Sequence, residues 1–154
     1  MRKLLIVSSS SRIVPEQTGK MLAVDRYDGV FFRVLRKALR DSRRRDIDVL
    51  ILSPVYGLIK GNEQIEYHKP LMGKWGTLSL SEDEVTRMRE KNLSFLESFI
   101  RRHEYSETYV NVGREYMKLI EGLEKFLTHR VTYAKGKGVG PKAADMKMWI
   151  LGEK

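Results

Sequence analysis

A chain of 154 residues, 42% hydrophobic and 9% aromatic, is long enough for one domain with its own core and too apolar to be disordered. Its 29 Lys and Arg against 20 Asp and Glu give a formal charge of +9, and the absence of cysteine excludes disulfides, thiolate metal centres, iron–sulfur clusters and cysteine nucleophiles. No apolar run approaches the ~18 residues of a membrane helix, and Leu4–Val7 is too short for a signal peptide, so a soluble, cytoplasmic, basic protein without membrane contact is expected.

Leu4-Leu5-Ile6-Val7 is a continuous apolar run, the pattern of a parallel strand covered on both faces. Directly behind it stands Ser8-Ser9-Ser10-Ser11-Arg12. Serine hydroxyls and turn N–H groups, with a guanidinium beside them, suit a phosphate, a carboxylate or the polar edge of a purine. On composition alone, a polar turn satisfying its own backbone is the commoner reading. The stretch from Ser8 to Tyr27 is otherwise irregular and contains Asp25.

From Asp28 to Asp41 a helix is expected, with Phe31, Val34, Leu35, Ala38 and Leu39 on one face. Arg33, Arg36, Lys37 and Arg40 lie on the other and run on into Arg43-Arg44-Arg45. Such a cationic face can track a nucleic-acid backbone, although Asp41, Asp46 and Asp48 dilute it.

Val49-Leu50-Ile51-Leu52 predicts a second buried strand. It leads into a long irregular stretch, Ser53 to Leu80, containing Ser53-Pro54-Val55-Tyr56-Gly57, Glu63, Tyr67 and His68. Loops of this length in a small domain are commonly functional, and both follow strands at whose carboxyl ends open parallel sheets hold ligands. Tyr56 and Tyr67 could wall a planar ring, or could simply be packing residues.

Ser81 and Glu84 form a capping box that starts a helix running to Arg102, with Leu80 and Val85 at the staple positions. Thr108 to Val112 predicts a third strand, Arg114 to Phe126 a helix, and Arg130 to Ala134 a fourth strand. The run Lys135-Gly136-Lys137-Gly138-Val139-Gly140-Pro141-Lys142 then enters a last helix at Pro141. Its glycines let a backbone approach an anion, but it matches neither phosphate-loop nor dinucleotide spacing. His68, His103 and His129 lack metal-ligand spacing, so neither a metal site nor a cofactor is expected. No G-x-S-x-G elbow is present.

Alternating strands and helices predict a single α/β domain over residues 1–154. It is expected to be a three-layer sandwich on a mainly parallel sheet of four or five strands.

The order of several segments carries a resemblance. Ser8 to Arg12, Leu22-Ala23-Val24-Asp25-Arg26-Tyr27-Asp28, Leu52-Ser53-Pro54-Val55-Tyr56-Gly57-Leu58, Ile65-Glu66-Tyr67, Leu71-Met72-Gly73, Gly113-Arg114-Glu115-Tyr116 and Gly136 to Lys142 follow one another as in YaaA-like domains, the superfamily of the peroxide-stress protein YaaA. The first two loops, with Gly73-Lys74-Trp75, also look like a domain of archaeosine synthases. The resemblance implies an α/β domain connected with DNA binding, oxidative stress or tRNA modification. Members of the family often have Cys-Ser-Lys in the first loop, where this chain has serines and Arg12, so a mechanism needing a thiol or a lysine amine there does not carry over.

Together these readings predict a site for a nucleobase, a nucleotide or nucleic acid (DNA or tRNA) at the ends of the first two strands. Ser8, Ser9 and Arg12 would hold a polar or anionic edge. Ser53, Tyr56 and Tyr67 would flank a ring, Gly136 and Gly138 would close one side, and Asp25 or Glu63 would serve any proton transfer. The alternative is a non-catalytic binder of DNA or RNA that uses Arg36, Arg40, Arg43 and Arg44.

Overall fold

In the computed structural model, which describes residues 1–15, 19–70 and 79–152, β1 (Arg2–Ser8) is the central strand of a five-stranded sheet. It pairs in parallel with β3 (Ile47–Ser53) on one side and with β6 (Tyr105–Asn111) on the other. The outer strands are β4 (Gly57–Lys60), antiparallel to β3, and β7 (Arg130–Tyr133), parallel to β6. The order is β4-β3-β1-β6-β7. A two-stranded antiparallel ribbon of β2 (Met21–Leu22) and β5 (Gln64–Ile65) forms a separate sheet.

Both faces of the sheet are covered, as the uninterrupted apolar strands require. Leu5, Val7 and Ile51 pack with Phe32 and Leu35 of α2 (Val30–Ser42) and with Met146 and Ile150 of α5 (Val139–Leu151). On the opposite face Leu4, Ile6, Leu50 and Leu52 meet Leu96 and Phe99 of α3 (Glu82–Arg102). The expected capping box opens α3: Ser81 Oγ accepts the Glu84 N–H at 3.2 Å, and Glu84 Oε1 accepts the Ser81 N–H at 3.0 Å. The architecture is therefore an α/β sandwich on a mainly parallel sheet.

Two expected elements differ. The stretch from Ser53 onward is not irregular throughout, because Gly57–Lys60 folds back on β3 as a hairpin with Leu52 opposite Leu58. The helix expected from Arg114 to Phe126 breaks into α4 (Arg114–Met117) and a 3₁₀ turn (Leu123–Phe126). Gly122, at φ +90°, supplies the break, since a residue in that conformation cannot continue a right-handed helix. The last helix also starts two residues before Pro141.

After β1 the chain goes one way to β3 and then returns to the other side of β1 as β6. The carboxyl ends of β1 and β6 thus flank the topological switch point, where the covering connections diverge and leave a crevice.

Candidate cleft at the switch point

A cleft of about 580 Å³ occupies that crevice. Its floor is Ser8 and Ser9 from the end of β1 and Asn111 from the end of β6. One wall is Ser10, Ser11 and the start of α2 (Gly29, Val30, Phe31, Phe32). The others are Gly113 to Tyr116 and the start of α5 (Gly138, Val139, Lys142).

The serine turn is held by its own hydroxyl. Ser10 Oγ donates to the Arg12 carbonyl at 2.7 Å and accepts the Gly29 N–H at 3.1 Å, tying the turn to the beginning of α2. The Ser9 N–H continues the sheet by donating to the Leu52 carbonyl at 2.9 Å, and its side chain faces the Tyr116 hydroxyl. Burial pushes that hydroxyl above the ordinary phenol range, so Tyr116 stays a neutral hydrogen-bonding group. Glycines stand at the N-cap positions of α2 (Gly29) and α5 (Gly138), so neither N-cap residue supplies a side-chain cap. Gly138 sits at φ +84°, a conformation that favours glycine.

The electrostatics favour an anion. Arg114 and Lys142 line the cleft, and neither forms an ion pair among the described residues. The carboxylate in the lining, Glu115, is engaged by Lys118 at 3.0 Å. Val30 and Val139, both about half exposed, and Phe31 give the mouth an apolar side. Cations beside an apolar wall are the usual composition of a site for a ligand with one charged and one planar end.

Of the residues predicted from sequence, Ser8, Ser9 and Gly138 lie in this lining. Arg12 does not. It is exposed, and its carbonyl takes the Asp28 N–H and the Ser10 hydroxyl, so the cleft's cations are Arg114 and Lys142 instead. Gly136 is outside the lining and packs against Pro141, where a Cβ would meet the proline ring at 2.5 Å. Asp25 sits half-buried on α1 (Ala23–Arg26), and Glu63 is exposed before β5; neither reaches the cleft. Leu71-Met72-Gly73 and Lys74-Trp75 lie outside the described residues.

Ser53, Tyr56 and Tyr67 are also elsewhere. Ser53 is fully buried at the end of β3, where its Oγ accepts the N–H groups of Val55 (3.0 Å) and Tyr56 (3.2 Å). The Tyr27 hydroxyl lies 3.3 Å from that oxygen and 2.7 Å from His68 Nε2. His68 Nδ1 faces the Lys69 carbonyl at 2.8 Å, the geometry of a ring N–H donating to that carbonyl, which leaves Nε2 toward the Tyr27 hydroxyl. Tyr56 meets the His68 ring edge-on. This hydroxyl–imidazole chain anchors the loops and is separate from the cleft lining. Tyr67 is half-buried outside both groups.

The expected cationic face carries carboxylates of its own, Asp28, Asp41 and Asp46. Arg33 and Arg36 both grip Asp28, and Arg36 also donates to the carbonyls of Val24 and Tyr27. Arg44 is committed to Asp46 at 2.7 Å and to the Ile150 carbonyl at 3.1 Å. Arg40 lies 3.8 Å from Asp41, leaving Arg43, the αL residue that ends α2, as the exposed cation of the four without an ion pair among the described residues.

Sequence reasoning missed Asn111, Arg114 and Lys142 as site residues. The signal for Arg114 and Lys142 was present in the Gly113–Tyr116 and Gly136–Lys142 segments. Asn111 needed the strand order, which places β6 beside β1. Among the described residues no cluster of three or more metal-ligating side chains occurs, and no helix is long and apolar enough to cross a membrane.

No protein-family model and no curated protein sequence matches the chain. Its fold is similar to the crystal structure of AF0587, a protein of unknown function, with a TM-score of 0.52 and 18% identity. The alignment covers 96% of this chain and 44% of that one, so the chain spans less than half of AF0587, and the likeness speaks for the fold alone.

Proposed function

We propose that this protein recognises a nucleobase or nucleotide in the switch-point cleft, in the service of nucleic-acid modification, repair or stress response. The observation that carries the reading is the pairing of Arg114 and Lys142, cations without a carboxylate partner among the described residues, with an apolar wall of Phe31 and Val139 in one cleft. A phosphate suits the cations and the start of α5, and a flat ring suits the apolar side. The link to nucleic acids draws on the resemblance to YaaA-like and archaeosine synthase domains.

The test is a thermal-shift panel of bases, nucleosides, nucleotides and deazaguanines on the parent protein and on an Arg114→Ala/Lys142→Ala variant. A ligand at a hundredfold its dissociation constant adds about 2.7 kcal/mol to stability. A nucleotide should stabilise the parent and not the variant. Equal shifts in both, or no shift with any compound, would refute the proposal.

A further inference from the structure

At the floor of the cleft, Val7 of β1 stands opposite Asn111 of β6, so Ser8 and Asn111 emerge side by side where these strands end. Ser8 is 9% exposed and Asn111 2%. Both line the cleft. Their hydrogen-bonding capacity is not used up within the described residues. Asn111 Nδ2 donates to the thioether of Met146 at 3.5 Å, a weak acceptor, while Asn111 Oδ1 and Ser8 Oγ have no protein partner there. Neither oxygen is among the buried atoms sealed without a partner, so each retains surface of its own. Buried carboxamides and hydroxyls are normally bonded, and two neighbours left open at the floor of a cavity point to a group that arrives from outside.

We infer that Ser8 and Asn111 are the specificity-determining pair of the cleft, reading a heterocycle edge that carries a hydrogen-bond donor beside an acceptor. The inference rests on the nucleotide reading and deepens it. Asn111 Oδ1 accepts the ligand's N–H, and the Ser8 hydroxyl donates to the adjacent ring nitrogen or carbonyl. Amidine edges (adenine, cytosine) and lactam edges (hypoxanthine, guanine, uracil) share this chemistry. The ring of purine riboside does not, because with N9 glycosylated it offers ring acceptors and no N–H donor. A ligand lacking the edge must leave both groups unpaired, the situation in which polar sites discriminate most strongly.

Calorimetric titration of AMP, IMP, CMP and purine riboside 5′-monophosphate into the parent protein, Asn111→Leu, Asn111→Asp and Ser8→Ala tests this. Purine riboside monophosphate should bind the parent roughly tenfold more weakly than the better of AMP and IMP, which also tells amidine from lactam. Asn111→Leu and Ser8→Ala should erase that margin while inorganic phosphate binds as before. Asn111→Asp, isosteric and still an acceptor, should keep it, and with Ser8→Ala decides the matter where Asn111→Leu does not fold. A margin that survives both Ser8→Ala and Asn111→Leu, or purine riboside monophosphate binding as well as AMP and IMP, overturns the inference and leaves nucleotide recognition standing. Failure of every nucleotide to bind overturns the underlying reading and this inference with it.

Discussion

Gly29 and Ser10 stand in such close contact that a Cβ built on Gly29 would lie 2.7 Å from Ser10 Cβ, while the Ser10 hydroxyl takes the Gly29 N–H at 3.1 Å. The serine turn therefore rests directly on the start of α2. Gly29→Ala should force the turn away and cost about 1–3 kcal/mol, as overpacking of a fixed contact does. Denaturant unfolding measures the loss. Because the same displacement moves Ser8 and Ser9, nucleotide affinity should fall as well, and a fully stable Gly29→Ala protein with parental affinity would contradict this account.

Asn92 performs a purely architectural task on the other face. It is 1% exposed; its Oδ1 accepts the Leu58 N–H at 2.9 Å and its Nδ2 donates to the Leu119 carbonyl at 2.9 Å. One carboxamide thus joins the β4 hairpin to the segment after α4. Asn92→Leu leaves two buried backbone groups unpaired, at about 1–3 kcal/mol each. The midpoint of urea unfolding should drop accordingly, with ligand binding by the remaining folded protein unchanged.

The legibility of this molecule follows the range of the forces involved. β1, β3, β6, β7 and the Ser81 cap are written in local periodicity or in contacts three residues apart, so the sequence alone yields them. The β4 hairpin depends on Leu58 finding Leu52, and the break at Gly122 on a backbone angle, so both were hidden inside apolar patterns. The site divides in the same way. Ser8, Ser9 and Gly138 advertise themselves by composition, whereas Asn111 belongs to the cleft only because the chain crosses back over β1. Tyr56 shows the converse error: its strand-end position suggested the cleft, and the Ser53–Tyr27–His68 chain draws it to a neighbouring cluster.

Asp28 supplies an acid-side test. Hydrogen bonds from Arg33 and Arg36 hold its carboxyl down, from the ordinary 3.8 to about 2. A carboxylate depressed in the fold contributes stability that is present above 3.8 and is lost as pH falls through about 2. The side chains are partly exposed, Arg33 to 53%, so water and salt screen the effect. Asp28→Asn should cost at most about 1 kcal/mol at neutral pH in low salt. The gap between variant and parent should close as the pH is lowered from 4 to 2, and a gap of constant size over that range would exclude the mechanism.

Tyr27 makes the opposite prediction at high pH. Burial lifts its hydroxyl from 10.0 to about 12, because the phenolate would lose its water in the packed space beside Ser53. A hydroxyl whose pKa rises on folding contributes stability that is whole below 10 and is lost as pH climbs through 12. Tyr27→Phe removes the bond to His68 Nε2 and should cost about 1 kcal/mol at pH 7. It should also unfold less steeply than the parent between pH 10 and 12. Tyr105 and Tyr109, likewise raised by burial and by the carboxylates of Asp48 and Asp145, keep part of the alkaline slope in both proteins. The quantity to follow is therefore the difference between parent and variant in chemical unfolding across that interval. If the two curves run parallel from pH 8 to 12, Tyr27 is not the buried neutral donor that its contacts with Ser53 and His68 describe.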